Sequence, residues 1–518
     1  MNEFDNAYLQ RQFKRKCHLN TRKLKGDDAD HLIPRTSEVF KKLVDGLYIY
    51  GGFPWEETNE SRVLYHSTYS SVMAESFLPF VFPNNRSTIF KKSKNFLKIS
   101  NSIFNDDELI GAEFFPLYFP ENKNSPYLFC MKYYVSPLTL PVLTHNFSFE
   151  ELISFFDPKN IPLTEIVIAV HTKFPFEEFS KLLIKWIIDC ERISRIHVSS
   201  KFEKYFYSRN LNAEKNGEDH SVSDDINNQL WPENHRNQMI KILKQKLSAF
   251  PPEPNEEFVI DSNPYPKFVW LRPLASHCCF PLAKSSLYEI VKLLTPKLFI
   301  DLLTFFLLEK TIIIYHKDNS IVSKVILALH YLIRPLKWVS TSISILPQSL
   351  FEMLEAPNPL IVGTVNQIIL PKGSEIVYVD LIKKKIISNI STPEIPGYQE
   401  LFKDIKPLWN LVHSPTDNVL NEIINTVNIC IKSLLIPIHS SIMSNYTCLK
   451  DTRSTFMIEL YLSQFELKDR PFIKMFSDTQ MFVLNIEQEC RKRSDSIRNS
   501  LLKANNENAN QNEDCLLK

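Results

Sequence analysis

The stretch Glu309–Gly363 reads EKTIIIYHKDNSIVSKVILALHYLIRPLKWVSTSISILPQSLFEMLEAPNPLIVG, and its periodicity decides the fold. TIIIY at 311–315 is apolar without alternation, the pattern of a strand buried on both faces. Asn319 or Ser320 then offers an N-cap for a helix running to Ile333. Pro347 opens a further helix over QSLFEMLE, and Pro359–Val362 returns as a strand. Short apolar strands alternating with helices predict a parallel sheet covered by helices, hence an α/β lobe.

The pattern extends in both directions. Glu375–Asp380 (EIVYVD) is a further strand, and beyond Pro407 the chain turns helical, over Asp417–Leu435, Phe456–Phe465 and Pro471–Glu489. Arg491–Lys518 is polar and expected to fray. Upstream, Leu287–Leu294 and Lys297–Leu308 read as helices, with Pro296 at a favoured first-turn position. Farther back, apolar positions 176, 179, 182, 183, 186 and 187 predict an amphipathic helix over Phe176–Ile188, after a strand at Leu163–His171. Runs at 109–118 and 126–135, separated by Pro120, Asn122, Asn124 and Ser125, predict a hairpin. Asp45–Tyr50 is a strand ending at Gly51-Gly52. Between the halves, 208–235 has almost no apolar periodicity and reads as a flexible connection. Pro251, Pro252, Pro254, Pro264 and Pro266 extend that separation.

Composition removes several function classes. At 518 residues, with 44% hydrophobic and 23% charged, the chain can bury several cores. A net charge of +1 from 60 basic and 59 acidic residues makes no global case for nucleic acid. Arg11, Lys14, Arg15, Lys16, Arg22, Lys23 and Lys25 are a local exception. They read as a solvated tail or as a weak contact with anionic lipid. Nine cysteines without a C-x-x-C pair give neither a disulfide framework nor a zinc pattern. His277, Cys278 and Cys279 adjoin, but no second cluster exists to complete a metal site, so they read as buried structural residues. The most apolar run, Leu298–Tyr315, is interrupted by Asp301, Glu309 and Lys310; no transmembrane segment and no signal peptide are expected. The expected setting is the cytoplasm.

Phosphate loops are also absent. Gly46 and Gly51 have the P-loop separation, but Gly52 stands where lysine is needed. There is no H-E-x-x-H or G-x-S-x-G. No catalytic residue, metal ligand or cofactor is assigned.

The ordered motifs resemble the DENN family. EKTIIIY at Glu309–Tyr315, Pro335 with Trp338, Ile345-Leu346-Pro347, Ala356-Pro357-Asn358-Pro359 leading to Gly363, and EIVYVDL at Glu375–Leu381 are similar to its central segment. Asp469-Arg470-Pro471-Phe472 followed by Thr479-Gln480-Met481-Phe482 resembles the downstream segment. Leu47–Pro54 (LYIYGGFP) and Val167–Leu183, with Thr172–Phe176, are similar to the upstream one. Residues 200–257 and Pro273–Pro281 match no part of the pattern.

The resemblance implies a longin-like N-terminal lobe, an α/β C-terminal lobe and a helical downstream segment. The corresponding division is a disordered basic tail (1–36), an upstream lobe (37–200), a variable flexible connection (201–257), a central lobe (258–395), a helical segment (396–490) and a polar tail (491–518). It further implies a guanine-nucleotide exchange factor for a Rab-type small GTPase, acting in membrane traffic on the GDP-bound or nucleotide-free form and able to associate peripherally with vesicle membranes. Nucleotide and Mg²⁺ would belong to the partner, and the GTPase-contacting residues are unknown. A tethering adaptor remains open, as does a GTPase-activating role using an arginine such as Arg272, Arg334 or Arg470. Pro335, Trp338, Pro357, Pro359, Asp380 and Pro471 read as architectural.

Overall fold

The computed structural model describes residues 42–68, 70–92, 111–122, 125–144, 151, 154–155, 160–191, 233–273, 280–370, 375–446 and 452–516. The expectations for the basic tail, for most of 208–235 and for His277, Cys278 and Cys279 lie outside them. Phe40–Met443 with Phe456–Leu484 form one compact unit; Ser444–Thr455 and Asn485–Lys518 belong to another.

The N-terminal sheet contains β1 (Gly46–Gly51), β2 (Arg62–His66), β3 (Thr88–Lys92), β4 (Glu113–Tyr118), β5 (Tyr127–Val135) and β6 (Asn160–Thr172). Its order is β2-β1-β6-β5-β4, with β3 also on β6, and its pairs are antiparallel. The long apolar run of β6 suits it to the centre, where it pairs on both sides. Helix α1 (Val72–Val81) lays Ala74, Phe77 and Val81 against Tyr48, Tyr50, Phe115, Leu117 and Val167. Helix α2 follows over 177–191.

Helix α3 (Glu233–Leu247) stands inside the interval expected to be a flexible connection. Met239, Leu243 and Leu247 recur every four residues and are buried, a helical signal hidden among lysines and glutamines. The proline-rich stretch after it forms a hairpin of β7 (Glu257–Ile260) and β8 (Phe268–Leu271). Its Phe258, Phe268 and Trp270 close on Phe179 of α2, at ring separations of 5.8, 5.9 and 4.8 Å.

The C-terminal sheet has the order β10-β11-β9-β12-β13, built from β9 (Thr311–Tyr315), β10 (Thr341–Ile343), β11 (Leu360–Thr364), β12 (Ile376–Asp380) and β13 (Lys385–Ile387). Its first four strands are parallel, and β13 closes one edge antiparallel. Helices α4 (Phe280–Leu293), α5 (Pro296–Leu307) and α6 (Asn319–Leu332) are wound around it. Thr295 caps α5 ahead of Pro296. The cap of α6 is Asp318 rather than Asn319 or Ser320: its carboxylate accepts from the amides of Ser320 and Ile321. The segment Gln348–Glu355 is a 3₁₀ helix.

Downstream lie α7 (Tyr398–Trp409), α8 (Val419–Ser441), the hairpin β14 (Ile442–Tyr446) and β15 (Thr452–Phe456), then α9 (Ile458–Ser463), α10 (Arg470–Ser477) and α11 (Gln480–Leu516). Helicity begins before Pro407, which sits in the last turn of α7. The single helix expected over Pro471–Glu489 is broken at Thr479, whose hydroxyl accepts from the Phe482 amide and starts α11 afresh. That helix continues through the stretch expected to fray, and Arg491–Glu487 and Lys492–Glu489 pairs support it. By length and composition α8, not the Leu298–Tyr315 run, is apolar enough to cross a membrane. It buries Leu420, Ile423, Val427, Ile431, Leu434 and Ile438 on one stripe.

Candidate functional site

Two seams join the sheets within the larger unit. The first runs along α6. Glu113 on β4 reaches the first turn of this helix, where unpaired amides carry partial positive charge. Its carboxylate accepts from the Ser320 amide and from Asn319 Nδ2, both at 3.2 Å, and pairs with Lys132 at 2.8 Å. Burial pushes the Glu113 carboxyl up, but the Lys132 ammonium and its hydrogen bonds, with that of Asn319, hold it below its ordinary value. Neighbouring Asp318 is displaced upward by burial and by the Glu113 charge.

Farther along β4, the Ser344 hydroxyl accepts from the Tyr118 amide at 3.0 Å. It thus satisfies a backbone group on the outer strand of the N-terminal sheet. Tyr127 and Tyr331 hydroxyls meet at 3.1 Å. Glu177 at the start of α2 accepts from the Ser285 hydroxyl at 2.6 Å and pairs with Lys324 at 2.9 Å. His330 lies between the rings of Tyr118 and Phe306 and bonds Ser342 at 2.8 Å. Burial lowers its pKa to about 3, so it is a neutral packing group rather than a proton carrier.

The second seam has a different character. Phe80 of α1 packs into the cluster formed by Ile313, Tyr315, Leu360, Val362 and Tyr378 on one face of the C-terminal sheet. The Gln348 amide donates to the Pro83 carbonyl at 3.3 Å. Asn366 Nδ2 donates to Asn84 Oδ1 at 2.7 Å, and Asn84 Nδ2 returns a longer bond at 3.4 Å. Among the described residues no α-helix of the C-terminal lobe contributes to this cluster. Leu350, Phe351, Met353 and Leu354 of the 3₁₀ helix, with Ile368 and Leu370, pack on it while only partly buried. Ile369 between them is 93% exposed. Helix α1 also leaves Val72 and Met73 exposed at its first turn. An apolar face edged by amides suits contact with another protein.

The singled-out residues are otherwise placed as parts of the frame. Asp380 is buried and accepts from the Lys383 amide at 2.8 Å. Trp338 stacks on Phe306 at 4.5 Å and donates to the Thr341 carbonyl. Gly363 has no room for a side chain: a Cβ would collide with Val322 and with the Ser344 carbonyl. Gly52 stands against the guanidinium of Arg86, which is fully buried and donates to the carbonyls of Phe53, Thr58 and Glu60 and to Thr164. The turn after β1 is therefore wrapped around an arginine.

The three candidate arginines do not converge on a common site. Arg272 is buried, donates to the Pro252 carbonyl and lies over the rings of Phe174 and Phe176. Arg334 lies over Tyr331 at 4.3 Å, and Arg470 donates to the Phe465 carbonyl. Among the described residues no three His, Cys, Asp or Glu side chains gather as a metal site.

Sequence reasoning assigned no residue to this face. The signal it carries in the sequence is that QSLFEMLE holds four apolar residues on a segment too short to bury them all. Residues 219–384 match the family model of the DENN (AEX-3) domain. The match spans β9 through β12 and includes 219–257 and Pro273–Pro281, where no motif had been visible. With an N-terminal sheet, a C-terminal α/β lobe and a helical segment beyond it, that match is consistent with a DENN-domain protein, of a family that regulates Rab-type small GTPases.

Proposed function

We propose that this protein is a guanine-nucleotide exchange factor for a Rab-type small GTPase in membrane traffic, and that the second seam is its docking face. The DENN match at 219–384 carries the reading, because it supplies the class of partner. The seam supports it: Phe80, Leu350, Phe351, Met353 and Leu354 are half-covered apolar groups, drawn from both lobes, that a partner would finish burying. Exchange requires no bond making. A factor that binds the nucleotide-free GTPase most tightly weakens nucleotide by the same factor. The protein works in the cytoplasm, with peripheral association to vesicle membranes.

The engagement of Arg272, Arg334 and Arg470 within their own lobes favours exchange over an arginine-driven activating role. The test is a release assay over a broad Rab panel, each loaded with fluorescent GDP and chased with excess GTP. Accelerated GDP loss from at least one member supports exchange. Stable binding without acceleration replaces it with the adaptor reading, and faster GTP hydrolysis replaces it with the activating one.

A further inference from the structure

We infer that Ser494 is a phosphorylation site whose modification releases the β14–β15 hairpin from helix α11. Three serine hydroxyls form a chain in the smaller compact unit: Ser444 Oγ lies 2.9 Å from Ser454 Oγ, and Ser494 Oγ donates to Ser454 Oγ at 3.0 Å. Ser494 also contacts the Cys490 carbonyl at 2.9 Å, so its hydroxyl divides its hydrogen between the helix and the hairpin. The chain joins strand, strand and helix at partly buried positions, and Oγ atoms only 2.9–3.0 Å apart leave no room between them for a phosphate. A phosphate on Ser494 brings roughly −1.5 to −2 charges and has no proton to give Ser454.

The sequence around Ser494 fits such a modification. It reads Arg491-Lys492-Arg493-Ser494, with the three cations exposed. Kinases choose substrates largely by charge pattern, and this one fits an acidic substrate cleft. Arg491, which pairs with Glu487, and Arg498 stand at i−3 and i+4 and share a helix face with Ser494, so the product dianion would sit beside two guanidinium groups and compete with Glu487 for the first. Residues 487–500 are polar except for Cys490 and Ile497, and a helix with so little apolar surface opens locally at low cost, admitting a kinase. In the reaction the Ser494 Oγ bonds to the γ-phosphorus of ATP while the bond to the ADP oxygen breaks, and the hydroxyl proton passes to the kinase base.

The full-length protein is incubated with Mg·ATP and a kinase selective for arginine three residues before serine. Phosphate is mapped by mass spectrometry, and amide exchange is followed over 442–446 and 452–456. We expect phosphate on Ser494, its retention in Ser496→Ala, its loss in Ser494→Ala, and hairpin exchange about tenfold faster after phosphorylation. Ser494→Ala removes the hydroxyl without adding charge and should loosen the hairpin less. Failure to modify Ser494, whether or not a free 487–500 peptide is modified, overturns the site. Stoichiometric phosphate with unchanged hairpin exchange overturns the release.

Discussion

The carboxylate of Glu309 accepts hydrogen bonds from the backbone amides of Gln480 and Met481, at 2.7 and 2.9 Å. Glu309 opens the EKTIIIY stretch, Gln480 belongs to Thr479-Gln480-Met481-Phe482, and the two residues stand 171 positions apart. One buried anion therefore caps α11 from the turn before β9. Burial pushes this carboxyl up, and the two amides pull it back.

Replacing Glu309 by alanine strips both amides of their acceptor. The expected loss is about 1–3 kcal/mol, with Glu309→Gln milder because one carbonyl oxygen remains. Thermal unfolding of the two variants checks the order. Equal losses would mean that packing, not the cap, sets the effect.

Gly363→Ala tests the contact between β11 and α6. An added methyl must displace Val322 or the Ser344 carbonyl, so destabilisation of about 1–3 kcal/mol or more is expected in denaturant melts. Val322→Ala in the same chain should recover part of the loss, because the nearest obstructing atom is then absent.

Glu113 gives a pH dependence whose sign is fixed. Its folded-state pKa lies below the ordinary 4.5, so its contribution is present above that pH. It is lost as pH falls from about 4.5 through the lowered value. The stability gap between the native chain and Glu113→Gln, on the order of 1 kcal/mol near neutrality, should therefore shrink on acidification below that point. A gap that persists at lower pH would assign it to shape rather than to charge.

Ile369→Asp separates binding from folding. With the side chain 93% exposed, stability should change by less than about 0.5 kcal/mol. GTPase binding should weaken about tenfold or more if the seam is the docking face. Leu467→Asp, at another exposed apolar position, serves as the control and should leave binding unchanged.

What the sequence discloses and what it conceals divide along physical lines. TIIIY was legible as a strand because burial on both faces demands an unbroken apolar run. Helix α5 was legible because Pro296 marks its start. The β7–β8 hairpin was concealed because its prolines look like linker, while Phe258, Phe268 and Trp270 gain meaning only once Phe179 is placed beside them. Asp318 was missed by one position, since Asp, Asn and Ser all cap well and three such residues stand in a row. The second seam, proposed as the docking face, was beyond reach for another reason. Asn84 and Asn366 pair across 282 residues, and nothing in either local sequence specifies the other.

Helix α6 has a consequence for how the protein must be made. Its first turn is held by Glu113, and Ser344 beyond it satisfies a backbone amide on the outer strand of the N-terminal sheet. The lobes that composition separates are thus one folding unit. A gene cut between them yields an upstream fragment with a raw strand edge and Ile345 missing from its core, a template for aggregation. Recombinant work and any domain swap among relatives should keep the chain whole from β1 to α11, and co-expression of the two halves should recover solubility that neither half has alone.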